Sequence, residues 1–224
     1  MRILRRVLAA ALLVCAAAFA AFRFADPEHR ALDDAARAEV PGRYVRLADG
    51  VTHYETAGPD TGRVVVLAAG FSVPAYIWDS LYQRLADSGF RVVRYDYYGR
   101  GWSDRPRAAY DQDLFVRQLA GLLDSLRIGG PVDLAGLSFG GTVATSFAGR
   151  HPERVRSLVY VDPATFVEGG RRTADVDAQL LRLDRAGVPV VVVRQGDDLA
   201  ARLSGAAEPQ RGFTAVAAAG GAGA

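Results

Sequence analysis

The chain has 224 residues, 50% of them hydrophobic and 23% charged, which is enough for one domain with a large core, and nothing in it suggests two. Four of its 27 basic residues, Arg2, Arg5, Arg6 and Arg23, fall in the first 24 positions; the remaining 23 against 25 acids leave the body near neutral and exclude a basic face for nucleic acid. Three scattered histidines and one cysteine have no metal-ligand spacing, and no Gly-x-Gly-x-x-Gly follows the first parallel strand, so neither a metal nor any other cofactor is expected.

Arg2–Arg6 followed by the apolar run 7–22 reads as a secretory signal peptide or a signal anchor over residues 1–24. The run is 16 residues, short of the ~20 that span a bilayer comfortably, and Ala18-Phe19-Ala20 offers a cleavage site. Either reading puts the body outside the cytoplasm, secreted or periplasmic, or membrane-anchored. Cys15 lies inside this segment, so no intramolecular disulfide can form. Residues 25–42 read as a linker or short helix. The folded body is expected over 43–199, and a low-complexity tail, expected to be disordered, over 200–224.

In the body, 44–48 and 51–56 alternate and are joined by Asp49-Gly50, a hairpin signal. Val64–Ala68 is an apolar strand followed by the loop Ala69-Gly70-Phe71-Ser72. Trp78, Leu81 and Leu85 mark a helix closed by Gly89, and 91–95 is the next strand. Leu114, Phe115, Leu119, Leu122, Leu123 and Leu126 mark an amphipathic helix ended by Gly129-Gly130-Pro131. The apolar run 132–135 stops at Gly136, and a small-residue helix begins near Gly141 and runs to about Arg150. Further strands are expected at 157–161 and 188–193, with a helix through Val176, Leu180, Leu181 and Leu183 between them. Two initial strands and then repeated strand-helix alternation predict an α/β fold, doubly wound around a mostly parallel sheet with an initial antiparallel hairpin.

Between the 132–135 run and its helix sits Gly136-Leu137-Ser138-Phe139-Gly140. A serine on a tight strand-to-helix turn is pushed out of the sheet with Oγ facing a cleft, and glycines on either side remove Cβ atoms that would clash. The N–H of Phe139, at the helix start, then points at any oxyanion formed beside Ser138.

Over Arg43 to about Ala164 these motifs, in their order, resemble the α/β-hydrolase family. Ala69-Gly70-Phe71-Ser72 is similar to its His-Gly-x loop, with Ala69 in place of the histidine. The stretch 95–106 resembles its Asp-x-x-Gly-x-Gly-x-Ser loop, and His151-Pro152 and Asp162-Pro163 are also typical. The resemblance implies a serine hydrolase with Ser138 as nucleophile, the N–H groups of Phe71 and Phe139 as oxyanion hole, and attack on a small or lipid-like ester or related acyl bond through an acyl-enzyme. It also implies a structural loop in which Asp96 braces the cleft.

Two family features are out of place. The triad order is Ser, acid, His, yet the histidines stand at 29, 53 and 151, none after the acid position. His151 lies 13 residues beyond Ser138 along one helix, about 20 Å away. The acid is Asp197 or Asp198 after the last strand, with Asp162 as the alternative. Only 25 residues, 164–188, are left for a cap, so a short cap or none is expected. The expectation is therefore an apparently incomplete hydrolase of impaired turnover, with a non-catalytic protein binding a small apolar ligand or a protein partner as the alternative.

Overall fold

Strands form where the sequence runs apolar or alternates, and helices where its apolar residues recur at three and four. The computed structural model describes residues 2–25, 32–161 and 182–193, in two units, 1–41 and 42–224. In the first unit α1 spans Arg2–Ala25, 24 residues with none buried. At ~1.5 Å per residue it is about 36 Å long, enough to cross a bilayer, because the helix continues past the apolar run at both ends. The linker stretch contains a short α2, Asp34–Ala38, whose first turn is capped by Asp33: its Oδ1 accepts from the Ala36 N–H at 2.8 Å.

The second unit holds a seven-stranded sheet in the order β1-β2-β4-β3-β5-β6-β7. Its strands are β1 Arg43–Arg46, β2 Val51–Ala57, β3 Val64–Ala68, β4 Arg91–Tyr95, β5 Val132–Leu137, β6 Val155–Val161 and β7 Val190–Val193. β1 and β2 form the expected hairpin, β2 runs antiparallel to β4, and the other pairs are parallel. Among the described residues, three helices make the crossovers from β3 to β6: α3 Asp79–Asp87, α4 Gln112–Ser125 and α5 Phe139–Arg150. Inner parallel strands are covered on both faces, which is why β3 reads as an unbroken apolar run whose Val65, Val66 and Leu67 are fully buried.

The chain departs from β3 toward β4 on one side and returns to β5 on the other. That reversal opens a crevice at the carboxyl ends of β3 and β5, where ligands bind in open α/β sheets. The loop 69–74 and Ser138 both sit at that point.

Several boundaries differ from the sequence reading for identifiable reasons. A turn of 3-10 helix, Ala75–Trp78, precedes α3. α4 ends before the two glycines: Arg127 adopts φ +55°, and the Ile128 N–H reaches back to the Leu123 carbonyl. β6 begins at Val155, which pairs with Val132 across a register shift. β7 begins at Val190, because Pro189 has no N–H to offer the ladder, while its carbonyl accepts from the Leu158 N–H. Leu183 is buried; Val176, Leu180, Leu181 and the tail lie outside the described residues.

α5 packs its small residues against the sheet and fills the remaining space with Phe147, fully buried. Phe147→Ala is therefore expected to cost about 3–5 kcal/mol in urea denaturation. A loss below about 1 kcal/mol would contradict this packing.

Candidate active site

Ser138 occupies the turn between β5 and α5 with φ 49° and ψ −116°, a region that non-glycine residues rarely enter. The surroundings hold it there. Its N–H donates to the Val161 carbonyl at 3.0 Å, and its carbonyl accepts from the Gly141 N–H at 2.9 Å. A Cβ on Gly136 would lie 2.4 Å from the Gly140 carbonyl, and one on Gly140 would lie 2.2 Å from the Ala68 carbonyl oxygen. The end of β3, the turn and the start of α5 thus touch backbone to backbone, leaving Ser138 half-buried at the crevice.

The loop after β3 abuts this turn: a Cβ on Gly70 would stand 3.9 Å from Ser138 Cβ. The N–H groups of the first turn of α5 have no carbonyl one turn back, so the Phe139 N–H is presented at a helix N-terminus, where the helix dipole favours negative charge. The Phe139 ring is fixed by edge contacts with Phe71, Tyr97 and Phe115, at centroid separations of 5.5, 5.8 and 5.4 Å. Tyr97 is buried beneath it, and burial pushes its phenol well above the ordinary range, so it stays neutral. Arg100 holds Phe71 in two ways: its Nε donates to the Phe71 carbonyl, and its guanidinium lies 4.5 Å over the ring.

Asp96, buried at the end of β4, ties the loops together. Its Oδ1 accepts from the Ala75 N–H at 2.7 Å; its Oδ2 accepts from the Trp102 N–H and from His53 Nδ1, both at 2.9 Å. Its carbonyl accepts from the Ser103 hydroxyl and from Gln118 Nε2, and Ser103 Oγ accepts from the His53 N–H. Gly101, at φ +47°, is required here, since a Cβ would fall 2.1 Å from Asp96 Oδ2. Burial raises the Asp96 carboxyl, but the bonds from His53, Ala75 and Trp102 outweigh it and hold the group below its ordinary value.

His53 is therefore committed. Its Nδ1 faces Asp96, and its Nε2 faces Gly42, where a Cβ would come within 2.2 Å. It lies on β2, inside the sheet rather than on its edge strand. Three strand spacings of ~4.8 Å put it about 14 Å across the sheet from β5. His151 is at the far end of α5, packed on Phe147. Neither described histidine stands beside Ser138. His29, Asp162, Asp197 and Asp198 lie outside the described residues. No group of three or more His, Cys, Asp or Glu close enough to share a metal ion occurs among the described residues.

A family model described as the alpha/beta hydrolase fold matches residues 63–213. The chain belongs to the alpha/beta hydrolase fold family. Its relatives include the 2-hydroxymuconate semialdehyde hydrolase of Pseudomonas sp. (strain CF600), 38% identical over 125 residues that make up 55% of this chain and 44% of the relative. Lipase LipV of Mycobacterium tuberculosis is 36% identical over 133 residues, covering 59% of this chain and 49% of that one. Among solved structures, Cfl2 of Burkholderia cenocepacia superposes with a TM-score of 0.52 at 35% identity, over 55% of this chain and 41% of that chain. The chain spans about half the length of the curated relatives it matches.

Within this hydrolase fold, the Asp96–His53 pair and the Arg100 clamp on Phe71 escaped sequence reasoning. His53 precedes Asp96 by 43 residues, and no local pattern links them. The antiparallel register of β2 on β4 brings them face to face.

The depressed native pKa of Asp96 contributes stability that is present above the unfolded carboxylate value of about 3.9 and is lost as pH falls through it toward the native value. Urea midpoints across that window should fall steeply for the wild type and more gently for Asp96→Asn; parallel curves would contradict the assignment. Gly140→Ala forces a Cβ into two backbone carbonyls and should destabilise by about 1–3 kcal/mol, and an unchanged midpoint would rule out the close approach.

Proposed function

We propose that this hydrolase acts on a small or lipid-like carboxylic ester, or a related acyl bond, through an acyl-enzyme at Ser138. One observation carries the reading: Ser138 is held at φ 49° between β5 and α5, with the Phe139 N–H and the Phe71 loop beside it. In the proposed reaction Ser138 Oγ attacks the acyl carbon, and the Phe71 and Phe139 N–H groups stabilise the oxyanion. The alcohol leaves with a proton, and water then releases the acid. The hydrolase and lipase named among the relatives support a hydrolytic reaction. Asp197 or Asp198, or Asp162, supplies the acid. The α1 segment serves as signal or membrane anchor, with the body outside the cytoplasm.

Because neither described histidine stands beside Ser138 to take its proton, turnover by this chain is proposed to be slow and an acyl-enzyme long-lived. The same placement, with His53 bonded to Asp96 and His151 packed on Phe147, favours the second reading, a binding protein for a small apolar ligand or a protein partner. Reaction with p-nitrophenyl butyrate separates them. The purified chain should carry a butyryl group on Ser138 in peptide mass spectrometry, and Ser138→Ala should carry none. A butyryl group on another residue instead of Ser138 would overturn the nucleophile assignment, and ligand affinity that survives the substitution with no acylation of the wild type would favour the binding reading.

A further inference from the structure

Outside α1, the large hydrophobic side chains exposed among the described residues are Phe71, Tyr76, Ile77, Trp102 and Tyr110, each 40–60% accessible. All five belong to the segments that rim the crevice at the carboxyl end of the sheet. They are also knit to one another. Arg100 bonds the Phe71 carbonyl and covers its ring. The Asp96 carboxylate accepts from both Ala75, next to Tyr76, and Trp102. Gly99, at φ +77°, is packed so closely that a Cβ would lie 2.6 Å from the Tyr110 ring. A scatter of single exposed apolar residues needs no explanation, but five gathered on braced loops at one end of the sheet do.

The geometry points to this rim as a surface that rests on the interface of an anionic lipid bilayer, so that Ser138 opens toward the acyl layer. The occupant follows from the chemistry. Trp102, Tyr76 and Tyr110 pair an apolar ring with a polar tip, the composition that settles at headgroup level, and Phe71 and Ile77 supply purely apolar contact. The charge beside them is positive: Arg105 and Arg107 are exposed, and Arg100 stands at the crevice. The acids of the same loops are engaged within the protein: Asp96 is buried, Asp104 is half-buried and accepts from the Val51 N–H, and the exposed Asp111 accepts from the Leu114 N–H as the cap of α4. Basic residues beside amphipathic rings match anionic headgroups. This inference rests on the proposed anchor role of α1 and gives the lipid-like substrate a source.

The two tryptophans make the test direct, since Trp78 is only 5% accessible and Trp102 is on the rim. The full chain is bound to vesicles of phosphatidylglycerol and phosphatidylcholine, with ordinary or brominated acyl chains, and pelleting and tryptophan emission are read separately. Brominated vesicles should quench about half of the emission, and Trp102→Phe should abolish the difference while pelleting equally well. Pelleting without quenching would overturn the rim contact, leave the anchor reading standing and assign the rim to a protein partner. No pelleting at all would overturn both.

Discussion

Two missing Cβ atoms, at Gly136 and Gly140, let α5 begin in backbone contact with β5 and the end of β3. Any larger residue at either place would have to push the helix start away from the strand carbonyls it touches. With the helix seated, the one residue between strand and helix has no relaxed conformation available. Ser138 takes the strained one and is held by hydrogen bonds to Val161 and Gly141. Strain at that residue is thus a consequence of packing elsewhere, which keeps the proposed nucleophile in an unfavourable but fixed position.

The second organising contact lies one loop away. Asp96 is a buried carboxylate whose acceptor sites are filled by groups from three segments: His53 on β2, Ala75 after β3 and Trp102 after β4. Charge-assisted bonds of this kind are stronger than neutral ones, and burying the carboxylate makes each of them necessary. They fix the loop after β3, and with it the Phe71 segment that faces Ser138. The Arg100 contacts with the Phe71 carbonyl and ring act on the same segment from the solvent side. Rigid support is what a set of oxyanion donors needs, since their worth depends on being in place before charge develops.

Much of this was legible in the sequence because its causes are local. Apolar runs located β3, β4 and β5, the Asp49-Gly50 turn located the hairpin, and the glycine spacing around Ser138 marked the turn. The misplaced starts of β6 and β7 arise from contacts between segments distant in sequence. The start of β6 depends on a register shift against β5, and the start of β7 on where Pro189 falls against Leu158. The Asp96–His53 pair was invisible for the same reason: strand register creates it. His53 is a buried member of the network that positions the cleft.

The proposed chemistry requires Ser138 to face two backbone donors that recognise an oxyanion. A crystal structure of the chain treated with an alkyl p-nitrophenyl phosphonate would reveal that arrangement. Phosphorus should be bonded to Ser138 Oγ, with the phosphonyl oxygen about 2.7–3.1 Å from the N–H groups of both Phe71 and Phe139. Phosphorus on another residue, or a phosphonyl oxygen turned away from both donors, would contradict it.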